Sequence, residues 1–136
     1  MIYIDSYVFL DLFSGERRLI KKAERYLRLA VRKGLVISTV VITEVAYHLL
    51  RRGKEDALNA FLLFLERVEK SRIVSVDKEI ALLAAKLRKK YYRKGKCELS
   101  YLDCIHAATA IVSKCEKLVT GDKDFASIKE IEVEVY

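Results

Sequence analysis

Short apolar runs alternate along this chain with longer stretches in which apolar residues return every three or four positions. Met1 to Ile4 is apolar and ends at Asp5. Leu35 to Ile37, Ile73 to Val76 and Lys117 to Thr120 repeat that form, and Ile131 to Val135 alternates with Glu132 and Glu134. The pattern predicts four buried strands and an edge strand. Between them, Ile20, Ala23, Leu27, Ala30 and Val31 keep helical spacing, so a helix is expected over 17–33 with Gly34 as its terminator. Ser38 and Thr39 suit the N-cap of a helix over 40–52, and Gly53 separates it from a second at 54–69. Asp77 caps a further helix that Gly95 is expected to close. Ser100 with Asp103 resembles a capping box opening a helix to about Ser113. Ser6–Phe13 and Asp122–Ser127 read as turns or short helices.

Strands that alternate with helices imply an α/β domain whose mainly parallel sheet is covered on both faces. No repeat, low-complexity stretch or linker interrupts the 136 residues, so one domain over 1–136 is expected. In open sheets of this kind ligands bind beyond the carboxyl ends of the strands, where the strand order reverses. The residues just after each strand therefore carry most of the information about chemistry.

Those residues are acids. Asp5 follows the first strand, and Asp122 and Asp124 follow the fourth. Asp103 opens a helix whose Leu102, Cys104, Ile105, Ala107, Ala108, Ala110, Ile111 and Val112 make it apolar nearly all round. Such a helix is normally buried, and a buried Asp needs a partner: the helix N-terminus, a basic group or a metal. Glu44 sits in the same conflict inside VVITEVAYHLL. Taken singly, each acid reads equally well as a cap, a turn residue or a first-turn residue facing the helix dipole. If the first and fourth strands are neighbours, Asp5, Glu44, Asp103 and Asp122 or Asp124 would meet at one end of the sheet, and three or four carboxylates in one pocket call for a divalent cation. Oxygen-only ligands suit Mg²⁺ or Mn²⁺.

The remaining composition narrows the class. A net charge of +7 favours anionic partners, nucleic acid foremost. Arg88, Lys89, Lys90, Arg93, Lys94 and Lys96, interleaved with Tyr91 and Tyr92, form a segment without an acid that suits RNA contact as well as it suits a solvated helix end. Arg17, Arg18, Lys21, Lys22, Arg25 and Arg28 form a second basic face. Charged residues reach 33% and Asn59 is the only side-chain amide, a bias that fits a thermophile. Cys97, Cys104 and Cys115 lack finger spacing, which argues against zinc; a Cys97–Cys115 disulfide stays open. No apolar stretch approaches a membrane span, and a cytoplasmic protein is expected. His106 and His48 read first as packing or supporting residues near Asp103 and Glu44. Tyr47, Phe61, Phe64 and Leu65 belong to the core of the 40–69 helix pair, whose apolar surplus suits a second copy or a partner groove.

IYIDSYVFLDLF, STVVITEVAYHLL, SYLDCIHAATA and LVTGDKDF, in that order, resemble the four motifs of the PIN-domain family, in particular its VapC-type toxin nucleases. The resemblance implies a three-layer α/β/α fold, a divalent cation, endoribonuclease activity, homodimers and inhibition by a small antitoxin. It assigns Asp5, Glu44, Asp103 and Asp122 to the acidic quartet, with Ser6 and Thr120 at hydroxyl positions beside the metal. Asp124 is the alternative to Asp122, which lies nearer the strand end. Tyr7 departs from the Asn that many relatives carry there. In the mechanism this implies, Asp5 is the central ligand, Asp103 and Asp122 complete the set, and Glu44 binds a second metal or orients the attacking water. Two other readings remain: a PIN nuclease of ribosomal RNA processing or RNA decay, and a non-catalytic α/β module that binds RNA or protein.

Overall fold

The computed structural model describes residues 1–136. Five strands form one wholly parallel sheet in the order β3-β2-β1-β4-β5. They are β1 (Ile2–Ile4), β2 (Leu35–Ser38), β3 (Ser71–Val74), β4 (Lys117–Thr120) and β5 (Glu132–Val135). The helices are α1 (Ser6–Leu12), α2 (Arg17–Lys33), α3 (Thr39–Arg51), α4 (Glu55–Arg67), α5 (Lys78–Tyr91) and α6 (Tyr101–Val112), with a 3-10 turn at Lys123–Ser127. The three central strands are buried on both faces apart from Lys117, which is why their sequences are apolar runs without alternation.

The chain leaves β1 toward β2 and β3, then returns to build β4 and β5 on the other side of β1. The order therefore reverses between β1 and β4, and the carboxyl ends of those two strands border a crevice. Asp5 and Thr120 stand at those ends. Val119 pairs with Ile4, and the Asp5 amide donates to the Val119 carbonyl at 3.1 Å, which fixes the height of Asp5 against β4.

Local signals set most of the boundaries. The Ser38 hydroxyl accepts from the Val40 amide and the Asp77 carboxylate from the Ile80 amide, so α3 and α5 begin where those residues place them. Ser100 and Asp103 form a complete capping box on α6. Gly34 ends α2 at φ +105°, a region closed to most other residues, and packs against the Met1 side chain.

Two boundaries differ from the sequence expectation. The third strand lies at Ser71–Val74, two residues earlier than the apolar run at 73–76, because its register is set by pairing with Leu35–Ser38 of β2. It is an edge strand with Arg72 and Ile73 exposed, so its side-chain pattern carries little information. Helix α5 stops at Tyr91, well before Gly95: Tyr92 turns extended, and Gly95 instead supplies φ +77° in the tight turn that brings Arg93 against Cys97. The three cysteines are all free thiols. No helix is long and apolar enough to cross a membrane.

Candidate functional site

Asp5 is 3% exposed and makes its contacts at the crevice floor. Its Oδ2 accepts from the Thr120 hydroxyl at 2.7 Å. Its Oδ1 accepts from the Ser6 amide at 2.8 Å and the Ser6 hydroxyl at 3.3 Å. The same Ser6 hydroxyl lies 3.1 Å from Glu44 Oε1, so one side chain from α1 ties the acid after β1 to the acid on α3. Burial raises the Asp5 carboxyl above its usual range, and Glu44 adds to this; His106, Thr120 and the Ser6 amide oppose it without cancelling it.

His106 completes the group from α6. Its Nε2 lies 2.5 Å from Glu44 Oε1 and 3.5 Å from Asp5 Oδ1, and the three side chains converge within 4.8 Å of one another. Behind it, Nδ1 is 2.7 Å from the Tyr3 hydroxyl, which also accepts from the Ser38 amide at 3.2 Å. The phenol proton is thereby directed to Nδ1, so a neutral His106 carries its hydrogen on Nε2 and donates it to Glu44. Burial alone would lower the His106 pKa; the hydrogen bond to Glu44 and the Asp5 and Glu44 charges outweigh it and raise the pKa. Burial likewise pushes Glu44 up, but His106, Ser6 and His48 bring its pKa to below normal.

This chain of contacts gives a stability prediction. Tyr3→Phe leaves the Ser38 amide and His106 Nδ1 without the hydroxyl that now serves both. The expected loss is about 1–3 kcal/mol, read as a lower urea midpoint at unchanged slope.

Asp103 and Asp122 stand at the rim. Asp103 Oδ2 accepts from the Ser100 amide at 2.8 Å, and Asp122 Oδ1 accepts from the Asp124 amide at 2.9 Å. Burial raises the Asp103 carboxyl, the Ser100 contacts oppose it, and the charges of Asp5 and Asp122 raise it further. Tyr7 senses the same convergence. After burial, its hydroxyl is raised by Asp122, Asp11, Asp5 and Asp103 in turn. Its ring lies across Gly121, where a Cβ would approach Tyr7 Cδ1 to 2.6 Å. Three acids thus keep one carboxylate oxygen without a protein partner: Glu44 Oε2, Asp103 Oδ1 and Asp122 Oδ2.

Asp124 points elsewhere, its Oδ2 accepting from the Glu98 amide at 3.3 Å. Among the basic residues of 88–96, Lys90 is drawn to Glu130 at 3.2 Å, whereas Lys89, Arg93, Lys94 and Lys96 are exposed and form no ion pair. The largest groove lies away from the acids. It is lined by Leu12, Leu27, Val31 and Phe64 together with Lys21, Arg25, Arg28, Arg32 and one acid, Glu24, which lies 3.9 Å from Arg28.

The sequence located the acids at strand and helix ends and passed over one residue. His106, read as a packing or supporting residue, sits inside the tightest cluster and holds Glu44. Asp11, whose Oδ2 accepts from the Tyr136 hydroxyl at 2.6 Å, joins the field around Tyr7 and carries no motif.

A family model described as the PIN domain matches residues 2–131. The chain belongs to the PIN domain family. Among proteins of curated function, none matches this PIN domain by sequence. Solved PIN-like structures do match its fold. The VapBC2 complex of Rickettsia felis bound to a promoter DNA fragment superposes with a TM-score of 0.75 at 21% identity, covering 99% of this chain and 98% of that one. VapC20 of Mycobacterium tuberculosis, described as a sarcin-ricin loop cleaving toxin, gives 0.75 at 21%, covering 97% and 99%. A toxin–antitoxin complex of Klebsiella pneumoniae gives 0.67 at 24%, covering 96% and 95%. At these identities the likeness is one of fold.

Proposed function

We propose that this PIN domain is a metal-dependent endoribonuclease that hydrolyses RNA phosphodiesters and serves as the toxin of a VapBC-type pair. The observation that supports the reading is the Asp5–Glu44–His106 cluster at the end of β1, with Asp103 within reach of the Asp5 and Asp122 charges and a free carboxylate oxygen on each of Glu44, Asp103 and Asp122. A buried acid raised by desolvation, with further acids around it, is tolerable at neutral pH when a cation is shared among them. Hard oxygen donors fit Mg²⁺ or Mn²⁺, and His106 is already engaged with Glu44, which leaves no nitrogen-rich set for zinc.

In this reading Asp5 is the central ligand, and Ser6 and Thr120 fix its two oxygens. Asp103 and Asp122 offer their free oxygens from the rim. Glu44 is oriented by Ser6 and by the His106–Tyr3 pair, in a position to bind a second ion or align the attacking water. A bound divalent cation supplies water activation and neutralises charge on the phosphodiester. Asp122 is preferred to Asp124, whose carboxylate is turned to the Glu98 amide.

The neighbours solved as toxin–antitoxin complexes support a small antitoxin as partner. The groove between α1, α2 and α4 suits it, because apolar Leu12, Leu27, Val31 and Phe64 lie beside four cations and one acid, a net positive lining that fits an apolar segment carrying acids. Exposed Tyr47 and Leu50 on α3 and Leu62 and Leu63 on α4 support a homodimer.

The test is direct. Purified protein freed of any partner should cleave single-stranded RNA internally in Mn²⁺ or Mg²⁺, and EDTA should stop it reversibly. RNA left intact in both metals would overturn the proposal in favour of a non-catalytic module.

A further inference from the structure

Arg88, in the last turn of α5, is fixed more firmly than a surface arginine needs to be. Its guanidinium carbon lies 4.3 Å from the centre of the Tyr92 ring and 4.2 Å from that of the Tyr101 ring. Its Nε donates to the Leu99 carbonyl at 3.1 Å. Nε is the only guanidinium nitrogen with a protein partner, and no carboxylate pairs with Arg88. The two terminal nitrogens are therefore held in place and face solvent without an acceptor. A planar cation presented in that way matches a phosphate fork.

Tyr101 contributes the second half. It is 71% exposed although it opens α6, so one face of its ring covers Arg88 and the other is free. A small hollow between α5 and the start of α6 joins Arg88, Lys89, Tyr92 and Tyr101. Lys89 is exposed at its edge, and exposed Lys94 and Lys96 follow Tyr92 in the chain. The same first turn of α6 carries Asp103, two residues on. Successive positions i and i+2 face opposite sides of a helix about 10 Å across. The N-terminus of α6 thus separates the acidic crevice from this cationic aromatic hollow by roughly one helix width.

We propose that Arg88, Tyr92 and Tyr101 form a docking subsite for an unpaired RNA nucleotide that flanks the scissile phosphodiester. Arg88 grips a backbone phosphate through its free nitrogens, and the base stacks on the open face of Tyr101. The subsite rests on the nuclease reading for the neighbouring chemistry, and it selects single strands: in an A-form duplex the bases are stacked inward and offer no face to an aromatic side chain.

The experiment measures binding of a fluorescently labelled single-stranded RNA by anisotropy in EDTA, where no cleavage occurs, and in parallel its cleavage in Mn²⁺. Tyr101→Ala should weaken single-strand binding about tenfold or more, while Tyr101→Phe retains it and a blunt RNA duplex binds both equally. Arg88→Gln should weaken binding to a similar degree and flatten its salt dependence. In Mn²⁺, Tyr101→Ala should raise KM for the oligonucleotide with little change in kcat. Wild-type affinity in both Tyr101→Ala and Arg88→Gln overturns the subsite, as does a Tyr101→Phe variant that binds no better than Tyr101→Ala. Wild-type protein that binds the single strand through these residues but cuts nothing in either metal overturns the nuclease reading and leaves the docking surface established.

Discussion

Asp5→Asn should lower Mn²⁺-dependent RNA cleavage by about two orders of magnitude or more while the folded protein becomes no less stable without metal. The first effect follows from the position of Asp5. Its two oxygens are the ones that Ser6 and Thr120 hold in place at the β1–β4 crevice, and its charge is felt by Asp103 while Glu44 acts on it in turn. Changes to groups that merely support a metal ligand typically cost 10–100-fold, so neutralising the central ligand should cost about that or more. The second effect follows from the direction of the pKa. Burial raises the folded-state pKa of Asp5 above its ordinary 3.8. The stability linked to this acid is therefore fully present below about pH 4 and lost as the pH rises through the folded value. Above the folded value the charged carboxylate opposes folding, and the amide removes that cost while Thr120 keeps a hydrogen-bonding partner. Thermal melts at pH 7 in EDTA should show the variant at or above the wild-type Tm. Added Mn²⁺ should then raise the wild type alone. A variant that melts well below wild type in EDTA, or that still cleaves at a tenth of the normal rate, would remove Asp5 from the centre of the site.

The sequence carried this site because its acids fall at places where local rules already apply. Asp5 ends an apolar run, Asp103 completes a capping box and Asp122 caps a short turn, so each could be located along the chain without tertiary information. What brings them together is the adjacency of β1 and β4, which no local pattern encodes; it followed from the general geometry of parallel sheets. The misread boundaries have the opposite cause. At β3 the edge position allows Arg72 and Ile73 to face solvent, so pairing with β2 sets the strand and its own pattern does not. At the end of α5 the sequence stays compatible with a helix through the basic residues, and the Arg93–Cys97 bridge ends it earlier than the glycine signal. His106 was hard to weigh because its role depends on Tyr3, 103 positions away, and on Glu44, 62 positions away. The Arg88–Tyr101 contact is hidden for a related reason: the basic segment was visible, but only packing of α5 on α6 shows which arginine is fixed, and only the contact with Glu130 shows which lysine, Lys90, is diverted.

Phe9→Ala should produce the largest loss of stability of any single change considered, about 3–5 kcal/mol. Phe9 is fully buried one turn beyond Ser6, and its ring meets Phe61 edge-on at 5.0 Å and Phe64 at 6.3 Å. It links α1 to α4 through those rings, and α1 begins with Ser6, which ties Asp5 to Glu44. Truncation removes the ring from water-free surroundings, leaves a cavity and deletes both aromatic contacts, which themselves contribute about 0.5–1.5 kcal/mol each beyond area burial. Against a total stability of about 5–15 kcal/mol, the variant should sit near the edge of unfolding at 37 °C. Urea titration would show a sharply lower midpoint, and Phe9→Leu, which keeps most of the apolar volume, should lose only about 1 kcal/mol. Because the Phe9 ring packs on Phe61 and Phe64, the fraction that remains folded in excess Mn²⁺ should cleave RNA with wild-type kcat, and the metal should recover part of the lost Tm. A Phe9→Ala protein as stable as Phe9→Leu would mean that α4 closes over the gap. In that case α1, and with it Ser6, owes its position to α2, α3, the sheet and the Asp5 cap.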